Sequence, residues 1–219
     1  MRTLVSLPLL LAACGPAEPT VSAEVLGQTA TADLSETLDH LEELYFSVAD
    51  THRSSGTDDA CTDTVGTCTW CAQWTGELPQ GRFSARPVAV PCGGERADEA
   101  TGLSYTVDDG WLEGSWVQAD GRWTVSALGG RHATVEPRSD DDDPAVDASW
   151  TIDELTVSYE GERRHAVHAT LAFADGPVTW TVALSGRGDQ LVGTLSSDDG
   201  ASCTVFGTVG EVPEVHCAR

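Results

Sequence analysis

Lysine is absent from this chain. Its cations are 12 arginines set against 35 Asp and Glu, a formal charge of −23 over 219 residues. Without Lys there is no Schiff-base chemistry. With so few cations there is no basic stripe to release counterions from a phosphate backbone, which excludes nucleic acid as a partner. A polybasic attachment to anionic lipid is excluded for the same reason. Catalytic signatures are missing as well: no His-Glu-x-x-His, Gly-x-Ser-x-Gly, P-loop or dinucleotide fingerprint occurs. Carboxylates are plentiful, but nothing singles out a glycosidase pair. The chain is therefore expected not to be an enzyme and to need no cofactor. What is present rules out disorder throughout: 40% of the residues are hydrophobic, and there are seven Trp.

The first fourteen residues have their own pattern. Met1-Arg2 gives a positive start, and residues 4–12 form an apolar run far too short to span a bilayer. The run closes with Leu11-Ala12-Ala13-Cys14. Here the sequence resembles a bacterial lipoprotein precursor, whose lipobox has the form Leu-small-small-Cys. The resemblance covers residues 1–14 only. It implies a signal peptide over 1–13 and cleavage before Cys14. Cys14 would carry a thioether-linked diacylglycerol and usually an N-acyl chain, anchoring the protein to a membrane through lipid. Gly15 stands where the family's inner-membrane retention signal has Asp, which points to the outer membrane of a Gram-negative envelope. Residues 14–32, rich in Pro, Ala, Thr and Ser, read as a lipidated flexible tether.

The period then changes. Leu34, Leu38, Leu41, Tyr45 and Val48 recur at helical spacing, predicting one short helix over 33–50. Asp33 would cap it, with Glu36 three residues on. Glu42 and Glu43 fall opposite the stripe, and the helix is expected to pack on its own domain.

Residues 58–219 read as an all-β, mainly antiparallel meander of eleven to thirteen strands, forming a barrel or a sandwich. Asp-Gly at 109–110, 120–121, 175–176 and 199–200 marks expected hairpin turns. About 175–176, Phe173 would face Val178, Leu171 face Trp180 and Ala169 face Val182. Leu103, Trp116 and Val125 would align across three strands. Leu112–Val125 and Leu191–Val205 share a pattern, so the region reads as one domain or as two meanders, 58–136 and 145–219. Pro137–Pro144 would join them.

Setting Cys14 aside leaves six Cys, an even number that reads as three disulfides in an exported chain. Cys203 and Cys217 are symmetric about Gly210 and should meet across a hairpin. Cys61 and Cys71 are symmetric about Gly66, leaving Cys68 with Cys92. Two other pairings stay open: Cys61–Cys92 with Cys68–Cys71, and Cys61–Cys68 with Cys71–Cys92. A redox role for Cys68-Thr-Trp-Cys71 lacks its helix, and a zinc site lacks a second close pair. Asp140, Asp141, Asp142, Asp143 and Asp147 are the weak candidates for Ca²⁺, without EF-hand spacing. His165 and His168 should point to opposite faces of a strand. Trp116 and Trp180 belong to the core, while Trp70, Trp74 and Trp111 could line a pocket or a sugar platform. The expectation is a lipid-anchored, monomeric envelope protein with a binding or structural β module. The alternative is a calycin-like barrel carrying an apolar ligand, with Gly114, Ala169 and Gly193 leaving room for it. An extracytoplasmic hydrolase is the distant alternative.

Overall fold

A computed structural model describes residues 22–51, 59–61, 68–77, 79–93, 103–137, 146–161, 163–175, 177–211 and 213–218. One helix, α1 (Ala23–Thr51), precedes twelve strands: β1 (Asp59–Cys61), β2 (Trp70–Glu77), β3 (Gln80–Pro87), β4 (Cys92–Gly93), β5 (Leu103–Ala119), β6 (Arg122–Pro137), β7 (Val146–Glu160), β8 (Arg163–Asp175), β9 (Val178–Arg187), β10 (Gln190–Ser197), β11 (Ser202–Thr208) and β12 (Glu214–Cys217). All twelve belong to one antiparallel sheet that follows chain order, with β4 added beside β5. The expected antiparallel β architecture with a single helix is thus present. β6 pairs directly with β7 from Arg122 to Val135, so both halves of the β region share one sheet. Residues 138–145, which include most of the expected linker, lie outside the described residues.

The sheet curls around α1. The helix touches β6, β8, β11 and β12, which are spread along the strand path. Among the described residues β1 and β12, the two ends of the path, do not pair with each other. Three bulges supply the bend: at Asp108 on β5, at Asp153 on β7 and at His165 on β8. Each extra residue breaks the ladder locally and raises the twist.

Alternation decides the faces. On β8, Val167, Ala169, Leu171 and Phe173 are buried; on β9, Val178, Trp180, Val182 and Leu184 are buried. The register differs from the expected one: Phe173 sits opposite Trp180, Leu171 opposite Val182 and Ala169 opposite Leu184. A turn at 175–176 would place Pro177 in the ladder, where it has no N–H to donate. The reversal instead falls one residue later, with Asp175 opposite Val178. Each partner shifts by two, so the buried face is kept.

The Asp120-Gly121 turn is present, with φ of 51° and 76° at its two residues, as a tight two-residue hairpin requires. Asp199-Gly200 also lies in a turn, with Gly200 at φ 102°. Asp109-Gly110 does not. β5 runs straight through it, and Leu103 pairs with Pro137 while Trp116 lies between Gly81 and Val125. The expected alignment of Leu103 with Trp116 is therefore corrected. The Asp109 carboxylate accepts a hydrogen bond from the Gly110 N–H at 2.8 Å, inside the strand. A Cβ on Gly110 would come within 2.8 Å of the buried Trp70 ring, so glycine there serves packing and not reversal.

The helix begins ten residues earlier than its apolar stripe suggests. Ser22 is the cap: its Oγ accepts from Val25 N at 3.2 Å. The segment expected as tether is helical from Ala23 because its small residues dock closely on the last strands. A Cβ on Gly27 would meet Val215 at 2.8 Å. Leu26, Ala30, Leu34, Leu38 and Leu41 are buried, and so are Thr29, Thr31, Asp33, Ser35 and Thr37. Thr31 and Ser35 donate their hydroxyl hydrogens to the Gly27 and Thr31 carbonyls at 2.9 and 2.8 Å. These bonds let polar side chains sit inside without loss.

Candidate functional site

Cys203–Cys217 and Cys68–Cys92 are disulfides. Cys71 is disulfide-bonded, and its register partner across β1–β2 is Cys61. Symmetry about a turn therefore chose correctly at Cys203–Cys217, where the register is centred on Gly210. Cys14 and Asp140–Asp143 lie outside the described residues. Asp147 is exposed on β7, with its Oδ1 2.7 Å from His132 Nε2. Among the described residues no group of three or more His, Cys, Asp or Glu could hold a metal. His165 and His168 do not take opposite faces. A bulge at His165 resets the alternation, and both are exposed, beside Glu160 and Glu154 at 3.9 and 3.8 Å.

Two arginines that sequence reasoning passed over organise the interior. Arg131, on β6, is buried and meets Asp33 of α1 at 2.6 Å. Its other terminal nitrogen donates to Thr37 Oγ1 at 3.3 Å, and its guanidinium lies 4.7 Å from the Trp70 ring centroid. Arg164, on β8, sits at the far end of the same helix. It meets Glu42 at 2.8 Å, Asp189 at 3.4 Å and Asp39 at 3.5 Å. Tyr159 lies beside it, and burial pushes the Tyr159 phenol well above its usual range, with Arg164 opposing. Asp33 was expected as a cap. It is instead the buried counter-ion of a strand, and Glu42 packs against the sheet where a solvated face was expected.

The outer face carries a different constellation. Six of the seven Trp are buried, and Trp111 alone is partly exposed. The bulge at Asp108 shifts the alternation of β5, so that Gly110, Leu112 and Trp116 point inward and Trp111 outward. Opposite Trp111 stands Gly130. A Cβ there would lie 2.8 Å from the indole Nε1 and 3.4 Å from Cε2, so the five-membered ring occupies the space above that glycine. Two residues on along β5 begins a groove of about 800 Å³ crossing β2, β3, β5, β6 and β7. Glu113, Ser115, Arg82 and Glu154 line it, and Leu128, 51% exposed, stands at its side.

No family model matches the chain, and neither do curated proteins or solved structures.

Proposed function

We propose that this protein is a lipid-anchored module of the bacterial envelope, exported and held at the outer membrane through Cys14, which acts by binding and not by catalysis. The observation that carries the reading is the place of α1. Ser22, its cap, follows Cys14 by eight residues, a reach of at most about 29 Å of extended chain. From there the helix enters the core, buried from Leu26 to Leu41 and ion-paired through Asp33. An anchor at Cys14 is thus one short link from the centre of the domain. The disulfides fit an oxidising compartment.

The helix also weighs against the apolar-ligand carrier, because it fills the interior that such a ligand needs. The glycines that would have left room are covered. The Phe83 ring would lie 2.7 Å from a Cβ on Gly114, and Leu184 2.8 Å from one on Gly193.

Cell fractionation tests the anchor. The wild type is expected in the membrane fraction, labelled by radioactive palmitate, and Cys14→Ser in the soluble fraction without label. Continued membrane association of Cys14→Ser overturns the reading.

A further inference from the structure

The geometry points to the outer groove beside Trp111 as a binding site for a neutral oligosaccharide. This names a ligand class for the binding module proposed above, and rests on that reading for its setting in an envelope rich in glycan.

The β5 bulge is the first reason. With Asp108 as the extra residue, Val107 before it and Gly110, Leu112 and Trp116 after it all face inward, and Trp111 between Gly110 and Leu112 faces outward. Bulges re-aim side chains in this way next to functional sites. Gly130 is the second. It gives the indole a backbone floor, since any side chain there would push the ring off the sheet. The result is an indole laid on the outside of a sheet whose other indoles all face in.

The chemistry beside it is the third reason. A pyranose presents an apolar C–H face and a rim of hydroxyls that both donate and accept. An indole covers the first. For the rim, Glu113 and Glu154 accept, Arg82 donates, and Ser115, Ser126 and Thr156 do either. Thr75, Arg82, Ser115, Ser126 and Thr156 stand in one register row across five strands. At strand spacing that row is about 19 Å long, the extent of several sugar rings. Charge selects among glycans. The chain carries −23 overall, and the groove has two carboxylates against one guanidinium. Uronic-acid and sulfated chains are repelled, and neutral ones are not.

Acrylamide quenching of the purified full chain tests the site, because Trp111 is its one partly exposed indole. Chitohexaose and cellohexaose are the neutral probes, and polygalacturonate is the anionic one. At least one neutral hexamer is expected to shield the quenchable fraction, and polygalacturonate to leave it unchanged. Binding read by calorimetry should fall by about tenfold or more in Trp111→Ala, equivalent to about 1.4 kcal/mol. It should fall by a smaller factor in Glu113→Gln. Gly130→Ala keeps the indole but lifts it, and should weaken binding with an unchanged thermal midpoint. That variant decides the matter if Trp111→Ala does not fold. Absence of shielding by both neutral hexamers overturns the proposal. So does tighter binding of polygalacturonate, or undiminished binding by Trp111→Ala and Gly130→Ala. None of these readings depends on where the protein fractionates, so loss of the glycan site and loss of the lipid anchor are separately visible.

Discussion

Arg131 and Arg164 make the same gesture from two places. Each leaves the sheet, enters the interior and ends on an acid of α1. Their surroundings differ. At Arg131 both partners are out of water, the side chains being 4% and 1% exposed. At Arg164 only the arginine is buried, and its carboxylates are 28%, 66% and 71% exposed. A fully desolvated pair repays its desolvation only when both members are present. A rim pair is screened, and its loss is cushioned by water. The inner pair therefore fixes where α1 sits along its axis, and the outer group seals the end of the sheet.

Breaking the inner pair should have the largest effect. Asp33→Ala leaves a buried guanidinium alone and should cost about 3–5 kcal/mol in urea unfolding. Replacing both members, as Asp33→Leu with Arg131→Met, should recover most of it. A double variant as unstable as the single would show that the cost lies in packing and not in charge. Next comes the bridge that pins β11 to β12 beside the first half of α1. Cys203→Ser opens a loop of about fifteen residues and should cost about 3 kcal/mol.

Tyr159 sharpens the contrast through pH. Its folded phenol is held protonated above its usual value of 10.0. The stabilisation is complete below about pH 10 and is lost as pH rises, because the unfolded chain ionises first. The expected slope is at most about 1.4 kcal/mol per pH unit. Tyr159→Phe should flatten it; an unchanged slope would assign alkaline unfolding to other groups. Glu42→Gln should do least, about 1 kcal/mol or below, leaving Asp39 and Asp189 beside Arg164.

The same contrast explains what could be read in advance. Strand parity survived even where the register did not: the Pro177 hairpin shifted every partner by two and left Leu171 inside. Cys203 and Cys217 were legible because symmetry about Gly210 is a local property. The buried ion pairs were not legible in the same way. Arg131 does carry a signal, sharing the inward parity of Val125, Ala127, Gly129 and Ala133, but parity places a charged side chain inside without naming its partner, which lies on α1. A bulge at Asp108 made Asp109-Gly110 look like a turn and hid the outward aim of Trp111. The first half of α1 was missed because Ala, Gly and Thr give it no apolar stripe. Its partner surface lies nearly two hundred residues away, at Val215.

That distance governs assembly as much as stability. Gly210 donates its N–H to Ser35 across 175 residues of chain, and Gly27 packs on β12. Synthesis delivers α1 first and its last two walls at the end. Until β11 and β12 arrive, the helix has only part of its enclosure and the sheet only part of its filling. Long-range closure of this kind folds slowly. It also acts as a completeness check: a chain halted before residue 202 keeps a polar, Thr-rich helix with half of its berth missing, a ready target for proteolysis.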